Sequence, residues 1–215
     1  MLQGGGVAMK SKAWARVAAW TTIAGVVVWV AVVIFLSILT ADTYNSVKQP
    51  GSELALGRLG ILMDIAFFVL GFGVAALGFG LSRSLDHALV VSLLLGAVGG
   101  LLFLSGIFHT ELGSGTKPSI HNTLGLTAFV LIIIAMFTSS WRFRGDELWR
   151  PFARPTLFWA LAALLTFFLV PLLGEERLGV AQRIFVTVVF SWLVVTATHL
   201  HRVRSAKWRA ESGTR

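Results

Sequence analysis

Six stretches of this chain run almost without interruption through Val, Ile, Leu, Phe, Ala and Gly, at residues 17–39, 59–81, 88–108, 122–141, 156–173 and 184–200. Each is close to the roughly 17–25 residues with which a helix rising about 1.5 Å per residue crosses a hydrocarbon core of about 30 Å. None alternates apolar and polar positions as a barrel strand does. A backbone in lipid can hydrogen-bond only to itself, so runs of this kind predict helices. The expected fold is all-α, a polytopic six-helix transmembrane bundle over residues 17–202. A basic leader (1–16) precedes it and a basic tail (203–215) follows.

Composition excludes the main alternative. With 56% of 215 residues hydrophobic and 13% charged, the chain has too little polar surface to cover a water-soluble domain of its size. Lys10, Lys12 and Arg16 precede the first run as they would in a signal sequence. That run is too long for one, and Leu39 and Ala41 form a poor cleavage pair, so an uncleaved first helix is expected.

Charge sets the expected orientation. An amino terminus in the cytoplasm assigns Lys10, Lys12, Arg16, Arg83, Arg142, Arg144, Arg150, Arg154, Arg202, Arg204, Lys207, Arg209 and Arg215 to the inside, thirteen of the eighteen basic residues. Lys48, Arg58, Lys117, Arg177 and Arg183 fall outside. The positive-inside rule then places both termini in the cytoplasm. The net charge of +8 is accounted for by topology, and nucleic acid is not expected as a partner. The tail HRVRSAKWRAESGTR is expected to rest on anionic lipid. The absence of cysteine removes disulfides, thiolate chemistry, iron–sulfur clusters, covalent haem and a lipoprotein anchor.

The second and third runs carry GFGVAALGFG and GAVGG, joined by about six residues. A tight antiparallel hairpin is expected, with Gly96 and Gly100 as the small-residue face that lets backbones approach. That hairpin positions the acid of the second run. With Leu85 as the turn, Asp64 is level with Gly106, one helical turn below His109. In GIFHTELGSGTKPSIHN, residues 106–122, a turn at Gly115 sets His109 and His121 at equal depth. Asp64, His109, Glu111 and His121 are therefore expected to converge at the outer mouth of the bundle, with Arg58 and Arg183 on the same side.

An acid inside a spanning helix costs several kcal/mol unless it is paired, protonated or hydrated, which makes it a functional-site hypothesis. Asp64 could pair with Arg58 or Arg183 while the histidines hold a loop. The imidazoles and carboxylates could bind zinc with a position open for water. The group could instead form the polar rim of a pocket for a lipid headgroup or small ligand. Buried haem does not fit, because His87 and His109 are twenty-two residues apart, near 33 Å at about 1.5 Å per residue, and so lie at opposite surfaces. No lysine lies within a run, which disfavours a retinal Schiff base.

The segments SELALGRLGILMDIAFFVLGFGVAALGFGL, GIFHTE, IHNTLG and GVAQRIFVTVVFSWLV occur in this order between Ser52 and Arg202. In that order they resemble the membrane-protein family catalogued as domain of unknown function 998. The resemblance implies a six-helix bacterial or archaeal membrane protein and brings no activity with it. In that family a proline and an aspartate commonly stand at positions 109 and 111, whereas His121 and Arg183 match. The resemblance therefore carries over these two better than the full constellation.

The expected function is that of a multi-pass plasma-membrane protein with an outward-facing polar pocket. The pocket would bind membrane lipid or a small amphiphile in an accessory, sensing or transport-related role, through Asp64, Arg58, His109, Glu111, His121 and Arg183. No cofactor is expected on this reading. Zinc belongs to the alternative, a metal-dependent membrane hydrolase acting on lipid, with His109, Glu111 and His121 as ligands and Asp64 as ligand or general base. Neither reading fixes an oligomeric state.

Overall fold

The computed structural model describes residues 4–109 and 119–212. The apolar runs form six helices: α1 (Gly4–Leu39), α2 (Ile61–Ser82), α3 (Leu89–Ile107), α4 (Ile120–Phe143), α5 (Arg150–Leu173) and α6 (Leu178–Ser212). Each contains a stretch long enough to cross a membrane, with mean hydropathy between 1.9 and 2.8. No strand occurs among the described residues. Side chains such as Phe72, Leu93, Phe158, Leu165 and Leu172, each more than 60% exposed, cover the outer surface. That much contiguous apolar surface belongs in lipid, and the protein is a multi-pass membrane protein.

The helices form a closed ring in which each packs on its chain neighbours and α1 packs on α6. Because consecutive spans alternate in direction, the α1–α2, α3–α4 and α5–α6 connections share one end of the bundle. The other two connections lie at the opposite end. Helix α2 packs most closely, with glycines turned to two neighbours. A Cβ on Gly71 would lie 2.6 Å from the Gly99 carbonyl of α3, and one on Gly73 would lie 2.7 Å from the Thr21 carbonyl of α1. The Thr22 hydroxyl lies between the carbonyls of Ala18 and Gly73, at 2.7 and 2.9 Å. It adds a polar tie where lipid offers none.

Two sequence expectations are corrected. The hairpin is tight, but its close face is Gly71, Gly78 and Gly99. Cβ atoms on Gly96 and Gly100 would meet nothing within 4 Å, so these two face away from α2. Helices α5 and α6 each begin six residues before their apolar runs. Pro151 occupies the first turn of α5, where a missing N–H is harmless, and Pro155 lies inside that helix. The start of α6 docks on the loop between α1 and α2, through the backbone of Gly179 and Val180 and the side chains of Gln182 and Arg183.

Candidate functional site

Residues 40–60, between α1 and α2, form a strap across one end of the bundle. Gly51–Leu56 within it is a short 3-10 helix whose first four residues are buried. A loop packed this deeply must find partners for its backbone groups, and α6 supplies them. The first N–H groups of a helix have no partner within it; here Gly179 N–H donates to the Lys48 carbonyl and Val180 N–H to the Val47 carbonyl, both at 3.2 Å.

Arg183, one turn further along α6, completes the docking. Its Nη1 donates to the carbonyls of Ser46 (2.6 Å), Gln49 (3.2 Å) and Gly179 (2.9 Å), and its Nη2 to the Tyr44 hydroxyl at 2.6 Å. That hydroxyl in turn faces the carbonyls of Gln49 and Pro50, at 3.0 and 3.1 Å. Burial pushes the Tyr44 phenol above its ordinary value of 10.0, against the opposing pull of the Arg183 guanidinium. Gln182 Oε1 accepts from Gly51 N–H at 2.8 Å, and Gln49 Nε2 donates to the buried Glu53 carboxylate at 2.7 Å. An exposed ion pair, Lys48 with Glu176, adds little.

The second group lies at the end of α3. Asp64 stands in the first turn of α2, where the helix dipole favours an anion. Its Oδ1 is 2.9 Å from His109 Nε2, with the imidazole half-exposed and the carboxylate 9% exposed. The two groups meet without hydrogen-bond alignment, and Oδ1 has no hydrogen-bond donor among the described residues. His121, buried in the first turn of α4, places Nδ1 2.7 Å from the Phe108 carbonyl. A carbonyl only accepts, so Nδ1 carries a proton. Its ring meets Phe67 edge-on at 5.9 Å.

Asp64, His109 and His121 thus share the end of α3. Arg183 belongs to the strap, and Arg58 is exposed. The contact partner of Asp64 is His109, in place of the Arg58 or Arg183 pairing read from the sequence. Glu111 lies outside the described residues. No group of three His, Asp or Glu side chains suited to a metal occurs among the described residues.

Beneath the strap is a cavity of about 80 Å³, walled by α1, α2, α3, α4, α6 and the 3-10 helix. Ser52, Ser105, His121 and Gln182 give it polar groups toward the strap, while Trp29, Phe67, Val98, Phe129 and Phe185 are among its apolar walls. Helix α5 contributes no wall residue and bridges α4 and α6 from outside. Phe129 of α4 and Phe185 of α6 meet directly, with ring centres 4.6 Å apart. Sequence reasoning missed Tyr44, Gln49, Glu53 and Gln182. The available hint was a lone tyrosine shortly before Gln49-Pro50-Gly51, a turn-forming sequence between two spans.

A six-helix membrane bundle with a strapped end and a largely apolar cavity below it defines the class. Within that class, the chain belongs to the family described as Protein of unknown function (DUF998), which matches residues 6–199. No curated protein and no solved structure matches the chain.

Proposed function

We propose that this is a plasma-membrane protein, with both termini in the cytoplasm, that binds a chain of a membrane lipid or small amphiphile in the cavity beneath the strap. Its role is accessory, sensing or transport-related. The observation that carries this reading is a cavity inside the bundle whose walls are almost wholly apolar, with Ser52, Ser105, His121 and Gln182 among the residues that line it. The cavity has a volume of about 80 Å³. The volume is well below the roughly 300–1,000 Å³ of a pocket for a drug-sized ligand. It therefore suits the end of one hydrocarbon chain. Gly125 and Phe129 on α4, and Gln182 and Val186 on α6, are half-buried wall residues on the side bridged by α5, which suits entry from the bilayer.

The test uses Gly125, a wall residue whose added Cβ would meet nothing within 4 Å. Gly125→Phe should fold and occupy the space. Oleate or a lysophospholipid should raise the melting temperature of the parent in a neutral detergent and leave that of the variant unchanged. Equal shifts in both would overturn the cavity reading. Metal analysis of the parent, His109→Ala and His121→Ala decides the alternative. One zinc per chain, lost in both variants, would make a metal-dependent hydrolase the better reading.

A further inference from the structure

The opposite end of the bundle carries a separate cluster. Arg144, Arg150 and Arg154 line one open hollow with Pro151 and Ala153, in the turn between α4 and α5. Arg150 Nε donates to the Arg144 carbonyl at 3.3 Å, which draws the two together. Arg150 and Arg154 stand in the first two turns of α5, which has no acid in its first turn. A helix start is already positive, so both cations are at the unfavourable end.

The acids of the turn do not neutralise them. Asp146 Oδ1 accepts from Leu148 N–H and Trp149 N–H. Among the described residues, neither Asp146 nor Glu147 forms an ion pair with any of the three guanidiniums. The hollow also continues into an apolar surface. Arg154, Phe158, Leu161 and Leu165 follow one face of α5 at helical spacing. Phe158, Leu161 and Leu165 are 72%, 52% and 67% exposed. Trp141, 62% exposed with the Arg142 guanidinium 4.6 Å over its ring, marks the same level as a membrane interface.

We propose that this hollow binds the phosphate of an anionic phospholipid, with the acyl chains lying along the Phe158–Leu161–Leu165 stripe. Guanidiniums match phosphate oxygens with paired N–H donors, and the continuous stripe favours a lipid over a free anion. In the orientation with more positive charge inside, the hollow faces the leaflet where anionic lipid is concentrated.

Delipidated full-length protein in a neutral detergent should melt several degrees higher with phosphatidylglycerol than with phosphatidylcholine, and should not respond to inorganic phosphate. The R144Q/R150Q/R154Q protein should lose most of that shift, and Arg154→Gln alone should lose part of it. The Arg154→Gln arm keeps the question answerable if the triple variant does not fold. Gly125→Phe should retain the shift in full, which separates this hollow from the cavity. A full shift in Arg154→Gln, an equal response to inorganic phosphate, or loss of the response in Gly125→Phe would each overturn the proposal.

Discussion

Gly179 of α6 and Ser46 of the strap are packed so closely that no methyl group fits between them: a Cβ on Gly179 would lie 2.5 Å from the Ser46 carbonyl oxygen, and it would also meet the Gln49 carbonyl. Both obstacles are backbone and cannot turn aside. Gly179→Ala should therefore destabilise the protein by about 1–3 kcal/mol, although alanine gains up to about 1 kcal/mol in helix propensity. Gly96→Ala, which meets open space, should keep that gain and be neutral or stabilising. Thermal unfolding of the two variants side by side checks the contrast.

Arg183 serves four acceptors with one planar group. Lysine carries the charge but cannot reproduce the fork. Arg183→Lys should lose about 2 kcal/mol of stability and make the strap more susceptible to limited proteolysis. Stability and proteolysis equal to the parent's would show that charge alone holds the strap.

Tyr44 gives that region a pH dependence of known sign. Its folded pKa is raised above 10.0 because burial disfavours the phenolate. The corresponding stability is fully present below pH 10 and is lost as pH rises through the folded value. Melting temperature followed from pH 8 to 11.5 should fall more steeply at the alkaline end for the parent than for Tyr44→Phe. The variant should start lower at pH 8, because Arg183 Nη2 loses its acceptor.

For Asp64 and His109 a double-mutant cycle is informative. The imidazole is half-exposed, so the coupling should be about 0.5–1 kcal/mol and decline in 1 M salt. Asp64→Asn should cost about 1–2 kcal/mol in total, counting the lost interaction with the start of α2. A loss of 3–5 kcal/mol, as for a buried ion pair stripped of one partner, would mean that Asp64 has a stronger partner than His109.

Orientation can be read with thiol labelling, since the chain has no cysteine of its own. Thr43→Cys, in the strap, should react with an impermeant reagent in intact cells. Gly145→Cys, in the α4–α5 turn, should react only after permeabilisation. The reverse pattern would place the strap and its cavity on the cytoplasmic side.

The spans were legible because lipid imposes one rule on every residue they contain, and a run of apolar side chains states it directly. Which face of a span meets which neighbour was not. Gly96 and Gly100 have the spacing of a packing motif, yet of the three glycines in GAVGG it is Gly99, one residue from Gly100, that meets α2. Spacing fixes a stripe along a helix but not the direction it points. The depth of Asp64 relative to Gly106 followed from counting along the hairpin, and a Cβ on Gly106 would indeed lie 3.1 Å from the Asp64 carbonyl. The strap lies between two spans and carries no periodic pattern of its own. Its order comes from bonds between residues more than a hundred positions apart, such as Gly51 with Gln182, and these leave no periodic trace. The same long-range bonds explain why α6 begins before its apolar run.

The ring closes between its first and last spans, with α1 packed on α6; Trp29 of α1 meets Phe190 of α6 at 5.1 Å. During synthesis α1 enters the bilayer first, and the surface it will give to α6 faces lipid until the sixth span has been delivered. The strap waits as well, since the carbonyls of Ser46, Val47 and Lys48 find their donors on α6. Seating the final helix therefore both closes the ring and supplies the donors that fasten the strap. A nascent chain arrested before residue 178 would hold five spans but neither a finished cavity nor a lid.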